Sequence, residues 1–153
     1  MSARLSANTL QALPPEVRRP AYDFARVEKG ILHFGPGAFH RVHQAWYADR
    51  LLESDPRWGI TGVSLHSAGV RDALTPQDGL YALAVQDEQP SVQVTGSIRE
   101  LCVASENPAA VIKRFDDPRL RVITLTVTEK GYCLAADGSL DAAHADIQRD
   151  LAQ

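Results

Sequence analysis

A chain of 153 residues, 44% of them hydrophobic, is long enough to bury one core, and its composition is that of an ordinary globular protein. Sixteen basic against nineteen acidic residues leave a net charge of −3 without a dense basic run, which argues against nucleic acid or an anionic membrane as partner. No apolar stretch approaches the roughly 20 residues of a membrane-spanning helix, and the opening Met1-Ser-Ala-Arg-Leu5 lacks the apolar core of a signal peptide, so a cytoplasmic location is expected.

Residues 1–29 carry Pro14, Pro15 and Pro20 with little periodicity and read as an arm lying over the domain, with one short helical turn. Ile31 to Phe34 is a buried-strand pattern. After a glycine turn, Phe39, Val42, Ala45, Trp46 and Leu52 fall at helical spacing, which predicts a helix over Ala38 to Leu52 packing one stripe on a sheet. The Asp55-Pro-Arg-Trp-Gly59 segment interrupts, and Ile60 to Leu65 then reads as a second, parallel strand, making a β-α-β unit. Leu80 to Val85 and Val92 to Ile98, around a turn at Asp87 to Pro90, predict an antiparallel hairpin where a plain doubly wound half would place a helix. Asn107 caps a helix from Pro108 to about Phe115, Arg121 to Val127 is a β-branched strand, and Ser139 to Gln153 reads as a helix with Leu140, Ala143, Ile147 and Leu151 on one face. The expected fold class is α/β, an incomplete Rossmann-like parallel sheet with an inserted antiparallel hairpin, occupying residues 30–153 as a partial dinucleotide-binding domain.

The chemistry concentrates after the first strand. Gly35 and Gly37 supply two glycines of a G-x-G-x-x-G turn, and the N–H groups of Ala38, Phe39 and His40 open the helix that would receive a pyrophosphate. His40 stands where the third glycine would be, so the helix must sit farther from the strand. Arg41 can add a charge-assisted bond to the phosphates or lie in solvent, and Phe39 reads as packing behind the turn. His40 and His43 are spaced to share a metal, but no Cys or His cluster stands near them, so no metal is expected; His33 reads as a satisfied sheet histidine. Cys102 and Cys133 have no C-x-x-C neighbour and read as free thiols.

At the end of the second strand, where an acidic residue would receive the adenosine ribose hydroxyls, the sequence runs Leu65-His66-Ser67-Ala68-Gly69 without a carboxylate. His66 and Ser67 can bond either a hydroxyl or a 2′-phosphate, so both NAD and NADP stay open, and Asp72 is expected to pair with Arg71 or cap a helix. Thr126, Thr128 and Glu129 end the Leu125 strand on the ligand side and are candidates for lining the nicotinamide end; for Thr126 the packing role is favoured. Glu129 and Lys130 can equally pair with each other at the surface.

Four ordered segments carry a family resemblance. They are Leu13-Pro-Pro-Glu-Val-Arg-Arg-Pro-Ala-Tyr22, Gly35-Pro-Gly-Ala-Phe-His-Arg-Val-His-Gln44, Arg71-Asp-Ala-Leu-Thr-Pro-Gln-Asp-Gly-Leu-Tyr81 and Leu125-Thr-Val-Thr-Glu-Lys-Gly-Tyr-Cys133. Together they resemble the N-terminal third or so of the long-chain mannitol dehydrogenase family, which includes fructuronate and tagaturonate reductases. The resemblance implies an NAD(P)-dependent oxidoreductase acting on a secondary alcohol of a polyol or sugar acid, such as mannitol to fructose or mannonate to fructuronate. Some members carry an acidic pair in the loop after the second strand, which this sequence lacks. The family's lysine base lies in a K-x-x-x-x-N-x-x-H pattern in a C-terminal domain; Lys29, Lys113 and Lys130 lack that context, so no catalytic residue is assigned and substrate binding is expected only with that domain. Without the resemblance, the residues also fit a stand-alone nucleotide-binding or interaction module, or an inactive remnant.

Overall fold

A computed structural model describes residues 4–152, leaving out the side chains of Glu129 and Lys130. In chain order its strands are β1 (Ile31–Phe34), β2 (Ile60–Ser64), β3 (Tyr81–Val85), β4 (Ser91–Thr95), β5 (Ile98–Val103) and β6 (Val122–Leu125). Four of them form a parallel sheet in the order β5-β2-β1-β6, and β3 and β4 form a separate antiparallel pair. Ile31 pairs with Ile60 on one side and Val122 on the other, and Phe34 with Val63 and Leu125. β1 is therefore flanked on both sides, and Ile31, Leu32 and His33 are all buried because both its faces are covered.

The helices are α1 (Ala38–Val42), α2 (Gln44–Leu51), α3 (Gly69–Leu74), α4 (Pro108–Ile112) and α5 (Ala145–Leu151). Alternation along β1 sends Ile31 into one core with Ala45, Ala48, Ile60, Leu74, Tyr81 and Ile98, and sends Leu32 into another with Val63 and Val111. A third core lies between the N-terminal arm and the hairpin, where Leu10, Leu80 and Val94 are buried with Leu5, Leu13, Val17 and Phe24 against them. Asp49 of α2, 9% exposed, accepts hydrogen bonds from the Tyr22 hydroxyl at 2.6 Å and the Gly96 N–H at 2.7 Å, fastening the arm and the hairpin's exit to the same helix.

Four elements differ from expectation. The long helix is broken at His43, whose φ of −114° and ψ of −93° leave the helical region, and only the second piece packs as expected. Ala45, Ala48 and Leu52 are buried, but Phe39 is 65% and Val42 57% exposed, so Phe39 does not pack behind the turn; its ring stacks on His43 at 5.2 Å. The run Val92 to Ile98 is two elements: the Ser97 hydroxyl donates to the Ala45 carbonyl at 2.6 Å, its carbonyl accepts from Ile60 N–H, and the chain leaves the hairpin for the main sheet. The strand that follows, β5, was hidden by Arg99 and Glu100, charges that sit on a sheet edge. At the C-terminal end, Leu140 lies in a bridge with Leu134 and Ala143 in a turn; the helix spans only Ala145–Leu151, with Leu151 73% exposed, while Gln153 lies outside the described residues.

Candidate functional site

All four parallel strands end on the same edge; the chain leaving β1 runs to β2 on one side, while β6, reached only after β5, lies on the other side of β1. That is the switch point where an open α/β sheet leaves a crevice. The turn leaving β1 occupies it. Gly35 has a φ of 88°, a left-handed conformation that a side chain would strain, and an added Cβ would lie 3.3 Å from the Thr126 carbonyl oxygen. Gly37 caps α1 at a φ of −71° and ψ of −171°, open to any residue, and an added Cβ would meet nothing closer than the Gly35 oxygen at 3.9 Å. The space over Gly37 is thus unfilled by the protein.

The Gly37 N–H turns inward to the Gly35 carbonyl at 2.7 Å, and the first helical bond runs from Arg41 N–H to the Gly37 carbonyl at 3.1 Å. The N–H groups of Ala38, Phe39 and His40 therefore have no acceptor within the helix and form a donor set beside the open space. The Arg41 guanidinium folds back, Nη1 donating to the Pro36 carbonyl at 2.9 Å, and its own carbonyl accepts from the Tyr81 hydroxyl at 2.7 Å. Arg41 is held at the turn with positive charge available to an anion there.

The His40 side chain points the other way. It is 1% exposed, stacks on His33 at 3.6 Å with the rings 10° apart, and fills the contact between α1 and β1 that a third glycine would close. Both its ring nitrogens are buried without a hydrogen-bond partner, and its pKa is pushed down to about 3 by burial first and by the neighbouring His33 second. So His40 offers a backbone donor to the site and keeps its imidazole neutral in the core. His43 is exposed and stacks on Phe39. Among the described residues the metal-compatible cluster is Cys133, His144 and Asp146, whose ligand atoms lie within 4.8 Å of one another. There Asp146 pairs with Arg149, and His144 Nδ1 is used in capping α5. Cys102 is half-buried, its thiol held up in pKa by burial and then by Glu100.

Beyond β2, Leu65, His66 and Ser67 are exposed, and Ser67 Oγ accepts from the Gly69 N–H at 3.3 Å. Arg71 pairs with Asp72 at 2.9 Å and also with Glu106 on the loop after β5. Hence His66 and Ser67 lie in the open at the end of β2, with one arginine and two carboxylates behind them. Thr126 follows β6, its N–H on the Phe34 carbonyl at 2.9 Å and its hydroxyl 3.1 Å from His33 Nε2. Thr128 is exposed, its carbonyl accepting from the Gly131 N–H at 2.8 Å in the turn Glu129–Tyr132. The side chain of Glu129 lies outside the described residues. Sequence reasoning missed Gln44, Thr124 and Tyr81, which support the turn from behind; their signal is long-range contact, invisible to local spacing.

A family model described as the mannitol dehydrogenase Rossmann domain matches residues 29–152. The chain is 36% identical to a polyol:NADP oxidoreductase of Gluconobacter oxydans over 96% of its own length and 32% of that protein's. It is 40% identical to the D-mannonate oxidoreductase of Escherichia coli, covering 88% of this chain and 29% of the relative. In three dimensions it superimposes on mannitol 2-dehydrogenase of Pseudomonas fluorescens, solved as a ternary complex with NAD and D-mannitol, with a TM-score of 0.84 and 39% identity over 97% of this chain and 32% of that one. The chain thus spans about a third of the length of these proteins.

Proposed function

Because the chain belongs to the mannitol dehydrogenase family, whose Rossmann domain it carries, we propose that it is the NAD(P)-binding portion of an oxidoreductase. The reaction is hydride transfer between nicotinamide and a secondary alcohol of a polyol or sugar acid, of the mannitol/fructose or mannonate/fructuronate type. The observation that carries this reading is the turn Gly35 to His40: a left-handed glycine, an unfilled space over Gly37 and three unspent N–H groups at a switch point fit a pyrophosphate.

When bound, the nicotinamide accepts or gives the hydride. The residues of this chain would hold it: Gly35 and Gly37 would admit the phosphates, Ala38, Phe39 and His40 would donate to them, and Arg41 would add charge. His66 and Ser67 would serve the ribose end, and Thr126, Thr128 and Glu129 the nicotinamide end. Proton transfer from the alcohol needs a base within hydrogen-bond reach of the hydroxyl, and the lysine pattern the family uses is absent from these 153 residues. Accordingly, the 153-residue chain alone is expected to bind NAD(P) and not to oxidise mannitol or mannonate. Separate titrations with NADH and NADPH, monitored by nicotinamide fluorescence, test binding; failure of both to bind would overturn the reading. Sustained oxidation of a sugar alcohol by the chain alone would place the base here, with Lys130 and Glu129 to be substituted first.

A further inference from the structure

His33 sits where three elements meet, and both its ring nitrogens are engaged. Nδ1 lies 2.8 Å from Thr124 Oγ1 on β6, and Nε2 lies 3.1 Å from the Gly35 carbonyl oxygen and 3.1 Å from Thr126 Oγ1. Thr124 Oγ1 in turn donates to Gln44 Oε1 at 3.0 Å, Gln44 being the first residue of α2, and the amide NH2 reaches the same place by a half-turn. The His33 side chain is 2% exposed, so bulk water cannot repair a wrong proton assignment.

Proton accounting leaves two arrangements that keep the Gly35 contact as a hydrogen bond; a third, with Nδ1–H donating to Thr124, Thr124 to the Gln44 oxygen and the Thr126 hydroxyl to Nε2, sets the Nε2 lone pair against the Gly35 oxygen at 3.1 Å. A carbonyl only accepts, so the Gly35 contact requires a hydrogen on Nε2. If the imidazole is neutral, Nδ1 is then an acceptor, and Thr124 must spend its one hydroxyl hydrogen there. Its other bond must come from a donor, which Gln44 supplies by turning its NH2 toward the threonine. With the Gln44 oxygen turned inward instead, Thr124 donates to Gln44, and Nδ1 must carry a second proton, giving the imidazolium. A primary amide presents either group by a half-turn, so Gln44 fits both arrangements. Burial favours the neutral one by lowering the His33 pKa, against the smaller opposing effect of the Gly35 bond. The titratable group facing the ring from α1 is His40, stacked and neutral; from β1, β6 and α2 it meets Gly35, Thr124, Thr126 and, through Thr124, Gln44.

The Gly35 carbonyl accepts from Gly37 N–H at 2.7 Å and, with the proton on Nε2, from His33 as well. Together they fix the peptide that aims the Ala38 to His40 donors. We propose that His33 is a positioning residue of the cofactor turn, holding the Gly35 carbonyl through Nε2–H, and that Gln44, acting through Thr124, selects this tautomer. Its consequence for binding rests on the cofactor reading above; the tautomer itself does not.

The experiment is ¹⁵N NMR of the histidine rings in the full 153-residue chain across a pH titration, with NADH affinity measured alongside. Wild type is expected to carry its His33 proton on Nε2. A carboxylate at position 44 only accepts, so Gln44→Glu should draw the Thr124 hydrogen away and move the His33 titration upward; adding Thr124→Val should cancel the shift, which a simple charge effect would survive. His33→Phe keeps the stack and loses the clamp, and NADH affinity should fall about tenfold, the worth of one buried hydrogen bond. The Nδ1–H tautomer in wild type, or a Gln44→Glu shift that persists without the Thr124 hydroxyl, overturns the proposal even in a protein that binds NADH. The expected tautomer and shift in a protein that binds no NADH would instead remove the cofactor reading and leave the tautomer control standing.

Discussion

Gly37→Val separates binding from folding at the proposed site. The native φ of −71° suits an L residue and an added Cβ has nothing nearer than 3.9 Å, so the folded chain has room for a side chain to start there. Valine is a poorer helix N-cap than glycine by roughly 1 kcal/mol, and the loss of glycine's freedom in the unfolded chain returns about 0.4–1 kcal/mol. The net shift in Tm should stay within about 4 °C for a chain of this size. Binding should respond differently, because the two methyl groups enter the space beside the Ala38 to His40 donors. Displacing a phosphate from two of these N–H groups, at roughly 1.5–3 kcal/mol for each bond to a charged group, costs about 3–6 kcal/mol. That corresponds to a Kd raised on the order of 10²- to 10⁴-fold. NADH titration beside a thermal melt gives both quantities. A variant that melts like wild type and binds NADH within threefold of it would refute the assignment of the turn as the phosphate cradle.

Three further outcomes are expected. His40, held near a pKa of 3 by burial, has an unfolded pKa near 6.5; the unfolded state therefore binds the proton first, and stability present above pH 6.5 is lost as pH falls toward 3, by up to about 1.4 kcal/mol per pH unit. Urea unfolding at pH 7.5 and 5 measures it, and His40→Phe should flatten the slope; a wild type equally stable at both pH values contradicts the neutral stack. Asp49→Ala strands the Tyr22 hydroxyl and the Gly96 N–H and should cost about 2–4 kcal/mol, whereas Tyr22→Phe should cost about 1–2 kcal/mol; equal stability of all three proteins by urea unfolding would deny the network its role. On the β6 edge, Ile123 is 44% and Leu125 67% exposed beside unpaired main-chain groups, so the chain should self-associate and Leu125→Lys should reduce this in sedimentation velocity; an indifferent, monomeric wild type would count against it.

The parallel pair Ile31–Phe34 and Ile60–Ser64 was legible because apolar runs bounded by Gly30, Gly35 and Gly59 have few other meanings. The turn between them was legible from its two glycines. The break at His43 was not, since residues 38–52 keep a helical spacing straight through it and only the packing shows that Phe39 and Val42 face outward. β5 escaped for the opposite reason: at the sheet edge, Arg99 and Glu100 have ion-pair and carbonyl partners from other elements, so its pattern is polar where a strand was sought. His40 was read as a site residue from its position, which shows only its N–H; the direction of its ring depends on His33, which only the fold brings to it.

The arm has a consequence for where this domain begins. Arg18 exchanges two main-chain bonds with β4, its N–H to the Val92 carbonyl at 3.1 Å and its carbonyl from the Val94 N–H at 2.8 Å, a one-residue bridge that covers part of the hairpin's free edge. Two strands alone hold marginally in water. Similarity to the family model starts at residue 29, yet a chain trimmed to that point would lose Leu10 from over Leu80 and Val94, open the edge of β4 and release Tyr22 from Asp49. The stretch that the family model leaves out is thus the one that seals the hairpin, and a cut between Arg26 and Lys29 would remove those contacts.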